Sequence, residues 1–146
     1  MAPLRYQELL SLWNSKRDGR TYPGRADFDV LELRSWLGDL ELVDVERSTD
    51  DNYRFKYRLV GTRITEIDGS DVTGRYADDV FPNNLHAVVN SYNAVMTTGE
   101  PFLHDATLLP GNDGVYRNYR KLVLPLASDG EKIDMLMILL QEIIDD

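Results

Sequence analysis

Cysteine is absent from the 146 residues, which removes disulfides, thiolate nucleophiles, thiolate metal sites and any cysteinyl adduct to a chromophore. Histidine is nearly as scarce. His86 and His104 are the only two; an imidazole can ligate haem iron or another metal, but neither has a second ligand at metal spacing, so no metal site is expected. No stretch approaches a membrane span, and the start, MAPLRYQELLSLW, is interrupted by Arg5, Gln7 and Glu8 where a secretory leader needs an unbroken apolar core. Basic residues are outnumbered, 16 against 25 acidic, for a net charge of −9. A surface of that sign repels phosphate backbones and anionic lipid, so neither nucleic acid nor membrane is an expected partner. The expected location is the cytoplasm.

What is present is the material of a core. Apolar residues make up 42% of the chain, with eight tyrosines, four phenylalanines and two tryptophans, which is the composition of a folded globule at the common size of one domain. No separate output domain is expected within this length. The most informative stretch is YRFKYRLVGTRITEIDGSDVTG, residues 53 to 74. Tyr53, Phe55, Tyr57 and Leu59 alternate with Arg54, Lys56 and Arg58, giving a strand with one apolar and one cationic face. Gly61 and Thr62 end it, Ile64 and Ile67 give a short helix one buried side, and Gly69 supplies a left-handed exit.

Upstream, Tyr6, Leu9, Leu10 and Trp13 fall at i, i+3, i+4 and i+7, so about Pro3 to Lys16 reads as an amphipathic helix. Arg17 to Asp29 is turn-rich and reads as a structured connection, with Asp27 or Asp29 positioned to cap a short helix through Leu33, Trp36 and Leu37 toward Gly38. The first strand is Leu40 to Glu46, its broken alternation pointing to a bulge or to burial on both sides. STDDN, residues 48 to 52, turns into the second strand. Pro82 with Asn83 or Asn84 starts a helix whose stripe is Leu85, Val88, Val89, Tyr92, Val95 and Met96, stopped by Gly99 and Pro101. Strands then follow at Phe102 to Leu109, Val115 to Leu126 and Ile133 to Ile143, separated by PGNDG at 110 to 114 and SDG at 128 to 130. The last is apolar at most positions, as a central strand covered on both faces would be: one by the inserted helices, the other by the N-terminal helix.

This order gives an α+β fold with a five-stranded antiparallel sheet and helices inserted between strands two and three. It resembles the PAS sensor fold. The phrases GRTYPGRADFD, LELRSWL, LELVDVE, YRLVGTRITEIDGSDVTGR and LVLPLASDGEKIDMLM further resemble a small single-domain PAS family of alphaproteobacteria, over about Leu10 to Ile138. The resemblance implies an N-terminal helical segment, residues 1 to 38, joined in one compact unit to a PAS-like domain, residues 39 to 146. It also implies a sensory or regulatory role among signalling proteins such as a histidine kinase or regulator. It carries no catalytic residue and no particular cofactor, and Gly61, Thr62, Gly69, Asp71, Gly74 and Leu124 to Leu126 match its pattern as structural positions.

Candidate sites follow from that shape. Tyr57, Leu59, Tyr92, Met96, Leu122, Leu124, Met135 and Met137 are the expected liners of a ligand pocket between sheet and helices; the competing reading is that they fill the core. Tyr6, Leu9, Leu10 and Trp13 are the expected partner or dimer surface, and a homo-oligomer is expected. Asp68, Ser70 and Asp71 lack the remaining ligands of a calcium loop and read as turn chemistry. Arg54, Lys56 and Arg58, with Arg117 or Arg120, form a cationic strip that either balances carboxylates across strands or meets a partner. The rival class is a small cofactor-independent enzyme with a cone-shaped α+β fold, whose helices precede most of its strands. A filled adaptor without ligand is a third.

Overall fold

A computed structural model describes residues 5–48, 52–83, 85–108 and 114–143. Pro3, Asp50, Asp51, Asn84 and most of the PGNDG turn lie outside the described residues. The first helix, α1 (Arg5–Lys16), buries Leu9 and Trp13. The short α2 (Val30–Leu33) is held by a capping box in which Asp29 Oδ1 accepts from Leu31 N and Glu32 Oε1 accepts from Asp29 N, each at 2.9 Å. It stops before Gly38, earlier than the apolar spacing predicts. Trp36 N donates to Leu33 O at 2.9 Å and Asp39 N to Trp36 O at 2.8 Å, tight turns that bring buried Asp39 between Arg5 at 3.0 Å and Arg63 at 3.1 Å.

The strands β1 (Leu40–Arg47), β2 (Tyr53–Val60), β3 (Phe102–Leu108), β4 (Arg117–Leu126) and β5 (Met135–Glu142) form one antiparallel sheet in the order β2-β1-β5-β4-β3. Between β2 and β3 run α3 (Thr62–Asp68), α4 (Ala77–Val80) and α5 (Leu85–Thr98). The α+β architecture is the expected one, with two strands ahead of the long helix. The bulge expected in β1 falls between Leu42 and Val43. Gly61 is fixed by close approach, since a Cβ there would sit 2.3 Å from Gly38 O. Gly69, at φ 83°, ends α3 in the left-handed conformation.

Pairing defines two faces, because directly opposed residues share a side. Leu40, Leu42, Leu122, Leu124, Leu126, Met135, Met137 and Leu139 occupy one. Arg120, in phase with them, lies over the Tyr6 ring of α1 at 5.6 Å, so this is the face that α1 covers. The opposite face carries Glu41, Val43, Leu136, Ile138, Leu140, Lys121, Val123, Phe102 and His104. Lys121 meets α5 there, through Val88 O and the Tyr92 ring. The chain between α1 and α2 is structured as expected. Tyr22 N donates to Gly130 O at 3.0 Å, Ala127 N to Pro23 O at 2.9 Å, and Tyr22 Oη to Gly99 O at 2.8 Å, tying the β4–β5 turn to the end of α5.

Candidate functional site

The α5-facing side of the sheet is apolar except at its middle. Glu41 is 8% exposed, Tyr57 2%, Tyr92 1% and Lys121 5%. Glu41 sits in β1 opposite Ile138, Tyr57 in β2 opposite Val43, and Lys121 in β4 opposite Leu140. Tyr92 comes from the buried stripe of α5. Its ring packs edge-on against Phe55, with centroids 5.2 Å apart, and the Lys121 ammonium stands 4.6 Å over it, the geometry of a cation held by an aromatic face.

Burial governs the protonation of this group. Desolvation lowers the Lys121 pKa from 10.5 to about 8, against the attraction of Glu41. Burial likewise pushes the Tyr92 hydroxyl well above its usual range, helped by Tyr57 and Glu41. His104 is opposite Lys121 on β3, and its pKa is lowered by burial and then by the lysine's charge. The cluster therefore holds the Glu41 carboxyl group, an amine poised to lose its proton in mildly basic solution, and the Tyr92 hydroxyl and His104 imidazole, both biased toward their neutral forms. It can donate and accept hydrogen bonds inside a dry interface.

The expected pocket liners divide between the faces. Tyr57, Tyr92 and Met96 lie on the helix side, Tyr57 and Tyr92 within the cluster and Met96 at the end of α5. Leu122, Leu124, Met135 and Met137 have the other phase and lie on the α1 side, as does Leu59, opposite Leu42. The expected contact stripe of α1 is turned toward its own sheet. Leu9 is 0% exposed and Trp13 4%, Trp13 Nε1 donates to Pro125 O at 2.8 Å, and Tyr6 and Leu10 pack partly buried against the same core.

Other candidate groups have local duties. Arg54 grips Asp78 through two nitrogens at 3.0 Å, Arg58 reaches Asp44 at 2.9 Å, Arg120 reaches Asp105 at 2.9 Å and Arg117 reaches Glu142 at 3.6 Å. The strip thus balances carboxylates. Asp71 Oδ1 accepts from Thr73 N at 2.9 Å and Thr73 Oγ1 at 2.6 Å, a turn bond that lowers its pKa. His86 is exposed on α5. Among the described residues no three His, Asp or Glu side chains gather as a metal site, and no helix is long and apolar enough to cross a membrane.

Glu41, Ser91 and Lys121 were not among the residues expected to matter. The available signal was a charge at the inward phase of an apolar strand, in LELVDVE and in KLVLPL. Two open clefts lie elsewhere along α5, and none of Glu41, Tyr57, Tyr92 or Lys121 lines either. One of about 440 Å³ is lined by Tyr22, Arg47, Tyr53, Met96, Gly99 and Ile133, among others. The second, of about 390 Å³, lies between β2, α4 and α5 and includes Phe55, Leu85, Val89 and Asn93.

A family model described as PAS domain matches residues 1–140. No curated protein matches the chain. Among solved structures, VqmA bound to DPO is similar at a TM-score of 0.58 and 15% identity, over 77% of this chain and 56% of that one. A sensory box sensor histidine kinase from Vibrio cholerae is similar at 0.55 and 14%, over 80% and 90%. The light state of the blue-light photoreceptor Aureochrome1 LOV is similar at 0.54 and 12%, over 80% and 90%. The chain thus spans little more than half of the first of these and nearly all of the other two, and at such identities the likeness is one of fold.

Proposed function

The chain belongs to the PAS domain family, and from that membership we propose that it is a non-catalytic sensory module which binds a small molecule between α5 and the sheet and reports it by contact with a signalling protein. The observation that carries the reading is the buried cluster of Glu41, Tyr57, Tyr92 and Lys121. Taking a carboxylate and an ammonium out of water costs more than packing leucines in their place, so a pure scaffold has no use for them. A ligand site does, because a few fixed polar groups in an apolar setting give orientation and selectivity.

Transmission has a short path. The end of α5 is bonded to Tyr22, Tyr22 and Pro23 are bonded to the β4–β5 turn, and α1 rests on β4 through Trp13. A ligand that shifts α5 alters the seating of α1, the element we propose to face a histidine kinase, a regulator or a second copy of the chain. Tyr6 and Leu10, at the margin of the seated stripe, are the side chains nearest to hand for that contact.

Native against denaturing mass spectrometry of the full chain purified from its own host tests the proposal. A small molecule carried in the native spectrum and lost on denaturation supports it. A bare chain whose melting temperature no metabolite fraction moves overturns the ligand reading in favour of a filled adaptor.

A further inference from the structure

The seam between α5 and the edge strand β3 contains three polar groups whose hydrogen bonding is incomplete. The Lys121 ammonium has three donors, yet it makes one long bond, to Val88 O at 3.5 Å, and otherwise faces the Tyr92 ring. Ser91, one turn beyond Val88 on α5, is 1% exposed, and its Oγ has no partner among the described residues. His104 is the cross-strand neighbour of Lys121, and its buried Nε2 has no partner among them either. Lys121 and His104 are cross-strand neighbours, and Ser91 follows by one turn the residue whose carbonyl Lys121 meets; buried polar groups are nearly always satisfied by protein, water or ligand, so these shortfalls mark room for a polar partner.

Charge decides what that complement is. Donors predominate, which asks for an acceptor. A carboxylate would be the strongest acceptor in water, but Glu41 is already buried on the same face and already offsets Lys121. A second anion would leave this dry corner with uncompensated negative charge, a heavy penalty at low dielectric. A neutral carbonyl oxygen accepts the same bonds and adds no charge.

We therefore propose, resting on the sensory reading above, that the corner formed by Lys121, Ser91 and His104 binds an uncharged small molecule by its carbonyl oxygen. Lys121 and Ser91 donate to that oxygen, and His104 Nε2 meets the adjacent polar atom of the ligand, as in a primary or secondary amide. Entry is from the β3 side of α5, where Val88, Phe102 and His104 are only partly buried.

Benzamide and benzoate, a neutral and an anionic probe of nearly the same shape, test this with the full chain by amide chemical-shift titration. Benzamide is expected to bind at millimolar concentration with shifts centred on Val88, Ser91 and His104, and benzoate at least about tenfold more weakly. Ser91→Ala should weaken benzamide by about tenfold with the spectrum otherwise preserved. Raising the pH through about 8 should weaken it too, as Lys121 loses its charge; the titratable groups facing that amine are Glu41, Tyr92 and His104. Lys121→Met should weaken benzamide as Ser91→Ala does, and should that variant fail to fold, Ser91→Ala and the probe pair still decide. Stronger binding of benzoate, indifference of benzamide to Ser91→Ala, or no binding of either probe overturns the carbonyl assignment. If the chain from its host nonetheless carries an anionic metabolite, the sensory reading stands and only the ligand class is wrong; a bare chain whose melting temperature no metabolite fraction moves sinks both.

Discussion

The two faces of one sheet have opposite characters. Toward α1 it presents Leu122, Leu124, Leu126 and Met137, all fully buried against Leu9 and Trp13. Toward α5 it presents Glu41 and Lys121 among aromatic rings, beside an unsatisfied serine and histidine. The same strands build both, residue by alternate residue. The first face is where burial stabilises the molecule; the second gives up part of that stabilisation and holds a titratable centre.

The sharpest way to break the comparison is on the α1 face. Trp13→Ala removes a buried ring and leaves Pro125 O without its 2.8 Å donor, and should cost about 3–5 kcal/mol in urea unfolding. A loss below about 1 kcal/mol would mean that α1 is an accessory and not part of the core.

On the α5 face the outcome depends on how the charge is removed. Lys121→Met removes a charge whose burial costs more than its attraction to Glu41 returns, and at pH 7 should raise stability by at most about 3 kcal/mol. Glu41→Gln alone leaves the buried ammonium without that attraction and should destabilise by a few kcal/mol, on the order of 3, and adding Lys121→Met should recover most of that loss, because a neutral cluster has no charge to desolvate. Equal losses for Glu41→Gln and the double variant would deny that the two charges are coupled.

A pH series on the unaltered chain gives a third test. Folded Lys121 releases its proton at about 8, whereas in the unfolded chain it holds it up to 10.5. Between those values the unfolded state binds more protons, so stability should rise with pH, by at most about 3 kcal/mol from this group. From about pH 10.0 Tyr92 opposes this rise, since its hydroxyl ionises in the unfolded chain and resists ionisation in the folded one, and beyond 10.5 stability should fall. The rise should vanish in the Glu41→Gln/Lys121→Met chain; if it persists there, another group causes it.

Smaller effects mark the joint between the faces and the outer surface. Tyr22→Phe deletes the bond to Gly99 O and should cost about 1 kcal/mol, with amide shifts at both the end of α5 and the β4–β5 turn. Shifts at one end alone would cut the proposed path. Arg54→Ala removes a half-exposed surface ion pair with Asp78 and should change the melting temperature little, as screened surface pairs do.

Much of this molecule was legible in its order of residues. The alternation in Tyr53 to Leu59 dictated a strand, the i, i+3, i+4, i+7 spacing of Tyr6 to Trp13 dictated α1, and Gly69 and Gly99 ended their helices where such residues must. Asp27 and Asp29 were both candidate caps for the short helix that follows, and the structure gives that place to Asp29. These signals are local, resting on periods and on backbone freedoms that a few neighbouring residues determine.

Tertiary structure alone decided which phase of each central strand faced the inserted helices. Both phases of β5 are apolar, so Met137 and Ile138 are equivalent by composition, and only the pairing with β1 and β4 assigns Met137 to α1 and Ile138 to α5. The same pairing carried Glu41, Lys121 and His104, distant in the chain, onto one side of the sheet. Periodicity states that sides alternate; which side is which depends on the other elements that cover them.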